Sequence, residues 1–186
     1  MLHNNNFHIL KYFTQFDDTL IYGRMLIDKI PMSPKSIANS LNKLEDLGIL
    51  NSSTKGNIKF FLLNKKNKVT FDAIMAVEVQ KKIEFIEKHH KIKHIFERDN
   101  RVVGIFGSYV RGNYDKHSDL DVFIVGKKKG TDYRKKGSLY DLDISIKYFE
   151  EVKFEELYKG NNPLVQEIVK NHVIINGFEK YLELIW

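Results

Sequence analysis

Apolar residues recur at close to helical spacing over residues 7–16, at Phe7, Ile9, Leu10, Phe13 and Phe16. Residues 20–30 (LIYGRMLIDKI) predict a second helix, which Pro31 and Pro34 interrupt. Ser33 then offers an N-cap with Pro34 at the first helical position. The helix that follows, 34–47, lines up Ile37, Leu41, Leu44 and Leu47 as a core stripe, and Gly48 supplies a stop. Two short β-like runs, 49–50 and 58–63, flank NSSTKGN, whose composition predicts a turn. Residues 71–90 predict a long connector helix with Phe71, Met75, Val79, Ile83 and Ile86 on one face. A shorter helix follows, to Glu97.

Beyond residue 100 the period changes. RVVGIF (101–106) reads as a buried strand and LDVFIV as a second one ending at Val125. GKKKGTDYRKKGS predicts a basic loop, and LYDLDISIKYF a third strand from 139 to 149. Helices are expected at 150–158 and 163–171, then a short strand at VII and a last helix over 177–185. Strands interleaved with helices beyond residue 100 indicate an α/β or α+β domain, and α+β is the expected class for the whole chain. The expected organisation is a small domain over 1–68, connector helices over 69–97 and a second domain over 98–186.

Composition narrows the function classes. Hydrophobic residues make up 42% and charged residues 29% of 186, enough apolar material for a core. The absence of Cys excludes disulfides, Cys-ligated zinc, iron–sulfur clusters and a thiol nucleophile. No apolar run reaches the ~20 residues of a membrane helix, and MLHNNNFHILKYF lacks the build of a signal peptide. A cytoplasmic location is the expectation. The formal charge of +6 is uneven: residues 1–70 hold ten basic side chains against five acidic ones. A small basic module beside a near-neutral one points to a polyanionic partner for the first.

The segment IDKIPMSPKSIANSLNKLEDLGILNSSTKGNIKFFLL joins a helix, a turn, a capped helix and a hairpin. Over roughly residues 7–66 it resembles the winged helix-turn-helix family. The resemblance implies that Ser36, Asn39, Ser40 and Lys43 face a DNA major groove, while Lys55 and Lys59 on the wing meet phosphates. Arg24 is the module's single Arg, which weighs against sequence-specific reading.

The most informative stretch is GSYVRGNYDKHSDLDVFIV. A strand ends in Gly107-Ser108, and ten residues later Asp119-Leu-Asp121 heads another. Alternation sets both carboxylates on one face of that strand. Two adjacent carboxylates repel, and a hard divalent cation such as Mg²⁺ relieves them while keeping sites for phosphate oxygens. Gly107 permits close backbone approach to an anion, and Ser108 can hold a phosphate. Together these are the equipment of phosphoryl or nucleotidyl transfer.

The stretch resembles the DNA polymerase beta nucleotidyltransferase superfamily, and within it the minimal nucleotidyltransferases. Their pattern of Gly-Ser-x-x-Arg-Gly, then Ser-Asp-x-Asp, is met by Gly107, Ser108, Arg111, Gly112, Ser118, Asp119 and Asp121. The resemblance implies Mg²⁺ or Mn²⁺ held by Asp119 and Asp121, and an NTP, expected to be ATP, held by Gly107, Ser108 and Arg111. It also requires a third acid on a neighbouring strand, which completes the metal site and can act as base. Asp141 and Asp143 both qualify, and Asp143, followed by Ile144-Ser-Ile146, is the preferred one. Transfer of a nucleoside monophosphate to an acceptor hydroxyl is then expected. The resemblance leaves two acceptor classes open, a toxin-like partner protein as for antitoxin-type members or a small molecule such as an aminoglycoside, and a homodimer is a further partner state to consider. The rival class is a DNA-binding regulator whose second domain senses nucleotide or docks a partner.

Smaller signals carry less. His89, His90 and His94 read as a solvated helix end, and His117 as a loop residue. Lys127, Lys128, Lys129, Arg134, Lys135 and Lys136 form a basic segment that either steers an anion or is simply exposed.

Overall fold

The computed structural model of the chain describes residues 4–15, 19–128 and 131–186. Phe16 and Lys129, both singled out above, lie outside them. The chain divides into two units, Met1–Val77 and Glu78–Trp186. The division falls inside the long helix rather than at either end of the expected connector.

The first unit runs α1 (Asn4–Phe13), β1 (Ile21–Tyr22), α2 (Gly23–Leu26), α3 (Pro34–Asp46), β2 (Leu50–Lys55) and β3 (Ile58–Leu63). The Ser33 hydroxyl accepts from the Ser36 N–H at 3.2 Å, the cap its sequence calls for. Ile37, Leu41 and Leu44 of α3 are buried with Phe7, Leu10 and Phe13 of α1. The sheet is antiparallel in the order β1-β3-β2.

Three local expectations give way. Residues 20–30 do not form one helix: Ile21 and Tyr22 pair with Phe61 and Phe60, leaving a single helical turn after them. NSSTK is strand, because each of its residues finds a partner on β3, and the turn shrinks to Gly56 and Asn57 with Gly56 at φ 58°. Leu47 is 53% exposed, since α3 ends before it and its side chain leaves the core stripe.

Helix α4 (Lys68–Lys88) carries the chain from the first unit into the second. A 3-10 turn (Ile92–His94) leads to β4 (Val102–Phe106), α5 (Ser108–Arg111), β5 (Leu120–Val125), α6 (Tyr133–Ser138) and β6 (Ile144–Phe149). Then follow α7 (Glu151–Lys159), α8 (Pro163–Lys170), β7 (His172–Asn176) and α9 (Phe178–Ile185). The four-stranded sheet has the order β6-β5-β4-β7, with β5 and β6 parallel and the other pairs antiparallel. Such a mixed α+β build fits a nucleotidyltransferase fold. Among the described residues no helix is long and apolar enough to cross a membrane.

Both faces of this sheet are covered, so β5 reads as a continuous apolar run from Val122 to Val125. On one face Leu120, Val122 and Ile124 pack with Val103, Ile105, Tyr109 and Tyr133. On the other Phe123 meets Phe154 and Tyr181. A Cβ at Gly104 would lie 2.3 Å from the Phe123 ring, so only glycine fits beneath it.

The basic loop and the third strand of the second unit both depart from expectation. Part of the basic loop is helix α6, capped by Asp132 and anchored by Tyr133, which is buried and donates its hydroxyl to Asp99 at 2.7 Å. Residues 139–143 are not strand. Asp141 adopts φ 55° in a turn, and β6 begins at Ile144.

Candidate active site

The strand β4 ends at Phe106, and Gly107 turns the chain with φ 75° and ψ −149°. A Cβ on Gly107 would lie 2.3 Å from Asp121 Oδ2. The space that glycine leaves is thus filled by the protein's own carboxylate, which lies against the Gly107 Cα. Ser108, half-buried, opens α5. Between α5 and β5 the loop is closed on itself: Asp115 accepts from the His117 N–H at 2.8 Å and the Ser118 hydroxyl at 3.1 Å. Ser118 therefore serves the turn that delivers Asp119.

Asp121 stands opposite Phe106 on β4 and beside Ser145 on β6. The parallel register pairs Leu120 with Ile144, and the Leu120 N–H donates to the Asp143 carbonyl at 2.8 Å. Extended by one residue, this register sets Asp143 level with Asp119. Asp119 and Asp143 are exposed, and Asp121 is half-buried. Burial and the charge of Asp119 push the Asp121 carboxyl above its ordinary range, with Glu167 adding to the rise and Lys147 and Arg111 opposing it.

A strand-end pair of carboxylates beside a glycine turn and a serine has a match among known proteins. Residues 90–180 match the family model Polymerase beta, Nucleotidyltransferase. A relative from Methanocaldococcus jannaschii, provisionally named a protein adenylyltransferase, is 39% identical over 85 residues, covering 43% of this chain and 60% of that protein. The chain thus spans less than two thirds of that relative's length. No solved structure gives a significant match. These similarities support the nucleotidyltransferase superfamily for the second unit.

Within the second unit, the structure adds partners that the motif does not contain. Arg111, expected at the nucleotide, forms an ion pair with Glu167 of α8. Lys147 follows Asp143 and Ser145 by alternation on β6, is exposed, and acts electrostatically on Asp121. The alternation that singles out Asp143 would have shown Lys147 as well. Glu167 had no such signal, being on a helix far along the chain. The donors fit a divalent metal: all are hard oxygens, and two of them repel each other. Among the described residues no three His, Cys, Asp or Glu side chains are gathered as a ready cage. Mg²⁺ suits this arrangement, because it is commonly held by one or two carboxylates plus substrate phosphates.

In the first unit Asn39 and Lys43 are exposed on α3, and Ser36 is half-buried beside its cap. Ser40, expected at a groove, is 6% exposed, because its place between Ile37 and Leu44 turns it toward the core. Lys55 is exposed at the end of β2. Lys59 is engaged, ion-paired to Glu45 and bonded to Asn42.

Proposed function

We propose that the chain is a Mg²⁺- or Mn²⁺-dependent nucleotidyltransferase that moves a nucleoside monophosphate, from ATP by expectation, onto an acceptor hydroxyl. The observation that carries this reading is the β5–β6 register, which brings Asp143 level with Asp119 next to the Gly107–Asp121 contact. Asp119 and Asp121 are the residues that would hold the metal. When bound, a metal there lowers the pKa of the attacking hydroxyl and neutralises charge on the departing pyrophosphate. Asp143 accepts the hydroxyl proton, the Ser108 hydroxyl and N–H bind phosphate oxygens, and Lys147 supplies a cation facing them.

The acceptor is proposed to be a protein side chain, a reading supported by the name of the archaeal relative. A toxin-like partner protein and a homodimer belong to the same proposal. The first unit is proposed to be a winged helix that contacts DNA through Asn39, Lys43 and Lys55. Its order of helix, short strand, two helices and hairpin supports this. One observation favours the regulator reading instead: Arg111 is committed to Glu167 rather than open to a nucleotide.

The test is transfer of label from α-labelled ATP to protein, with pyrophosphate release, in the presence of Mg²⁺. Wild type should turn over and Asp119→Asn should not. Nucleotide binding without pyrophosphate release, together with DNA binding, would establish the regulator and end the enzyme reading.

A further inference from the structure

The nucleotidyltransferase unit has a second concave feature that none of the motif acids lines. It is a cavity of about 670 Å³ between the end of α4, helix α5, the loop before Asp119 and the turn before Asp143. Two of its lining residues, Ile92 and Tyr109, belong to the core layer on the Leu120, Val122 and Ile124 face. The cavity therefore lies on the sheet face away from Asp121 and Phe123.

Its wall is aromatic. The Tyr109 and Tyr114 rings stack with centroids 4.2 Å apart and 9° between planes. His89 meets both edge-on, at 5.7 and 5.3 Å. Tyr109 is buried, but Tyr114 is 41% exposed, so a flat apolar surface is left at the mouth. Burial and the neighbouring Lys88 push the His89 imidazole below its ordinary pKa, which keeps it an uncharged ring at neutral pH. Three amines surround this wall, from Lys88, Lys91 and Lys116. Lys91 donates to the Tyr140 carbonyl at 3.2 Å, whereas Lys88 and Lys116 form no ion pair with a described carboxylate. The Asp115 carboxylate is already occupied by its own turn.

An aromatic wall with unpaired cations at its rim suits a ligand with a π-face at one end and an anion at the other. The volume falls in the ~300–1,000 Å³ range of small-molecule sites. We propose that this cavity is a second ligand site that takes a nucleoside monophosphate, with its base on the Tyr109–Tyr114–His89 wall and its phosphate on Lys88 and Lys116. Asp141, exposed at the edge, accepts from the ribose hydroxyls. The lining segments run directly into the two acid-bearing ends, Tyr114–Lys116 into Asp119 and Asp141 into Asp143. A ligand there touches both segments, so the site is placed to tune the catalytic acids without touching the reacting atoms.

The experiment is calorimetric titration of the full chain with AMP in EDTA, which leaves the acids without metal. AMP should bind, and Tyr114→Ala should weaken it about tenfold or more, the scale of losing a stacking platform. Tyr114→Phe should bind like wild type, separating the ring from the hydroxyl. Lys88→Ala with Lys116→Ala should weaken AMP by a similar factor, and Ser108→Ala should leave it unchanged. Ribose 5-phosphate, which lacks the base, should bind at least tenfold more weakly than AMP. The proposal fails if AMP does not bind at millimolar concentration, if ribose 5-phosphate binds equally well, or if Ser108→Ala weakens AMP as much as Tyr114→Ala does. The outcome does not depend on transfer at the Asp pair, so failure here leaves that reading standing.

Discussion

Half-buried against the Gly107 Cα and near Asp119, the Asp121 carboxyl holds its proton more tightly in the fold than in an open chain. At neutral pH its ionised form therefore costs stability, and the cost fades as pH falls through the folded-state pKa. Asp121→Asn removes the charge in nearly the same shape. It should melt higher than wild type at pH 7, lose that advantage at about pH 3 where both side chains are neutral, and lose Mg²⁺-coupled NTP binding at every pH. Paired thermal melts and titrations check this, and a variant that melts lower at pH 7 overturns it. The two acids near β6 separate by backbone as well. Asp143 continues the strand register beside Asp119, whereas Asp141 sits in a left-handed turn. Asp143→Ala should lower transfer by ~10²-fold or more, on the scale of a lost general base, with NTP binding retained. Asp141→Ala should leave transfer near wild type, and the reverse pattern would exclude Asp143 as the base.

Helix α4 shows at the scale of an element why periodicity alone falls short. The stripe of Phe71, Met75, Val79, Ile83 and Ile86 predicts one buried face, yet Val79 is 39% and Ile83 45% exposed. Apolar residues occur all round this helix, and the side that turns inward carries Glu78 and Lys81. These polar groups are buried because His172 of β7 completes them. Lys81 donates to Glu78 at 2.8 Å, the other Glu78 oxygen lies 3.1 Å from His172 Nε2, and His172 Nδ1 reaches the Val169 carbonyl at 2.8 Å. Nothing local announces a partner nearly a hundred residues away. Helix α6 was hidden for a similar reason, since Tyr133 is anchored by Asp99 rather than by its own sequence neighbours. By contrast α3 and its Ser33 cap, and the Gly107 to Asp121 motif, were legible because their determinants are local. Burial alone drives the Glu78 carboxyl up, but Lys81 and His172 outweigh this and hold it at about 2. The stability it contributes is thus present above its ordinary pKa of 4.5 and lost as pH falls from there toward 2. Lys81→Met leaves Glu78 buried without its amine and should cost roughly 3–5 kcal/mol. Urea unfolding of the full chain measures this, and a loss under about 1 kcal/mol, the ceiling of a surface pair, would show that the network is not a buried ionic one.

For the whole molecule the decisive asymmetry is charge. Nearly all the excess of +6 belongs to residues 1–70, while the motif that resembles a transferase lies beyond residue 90. A transferase acting on a triphosphate needs no basic module at the other end of the chain, and this asymmetry motivates the proposal that the first unit contacts DNA. The structure sharpens which cations can serve. Lys43 and Lys55 are exposed, but Lys59 must first leave Glu45, whose carboxyl Lys59 and Ser52 hold below its ordinary range. Each phosphate contact contributes ~0.9 to the slope of log affinity against log salt. Lys43→Ala with Lys55→Ala should therefore flatten that slope by about 2 on duplex DNA and weaken binding alike for unrelated sequences. Lys59→Ala alone should change the slope by less than one contact's worth. Fluorescence anisotropy of the full chain over a salt series reads both quantities. A wild-type chain that binds no duplex at low salt, or a double variant with an unchanged slope, would remove DNA from the reading and leave the first unit as a surface for protein contact.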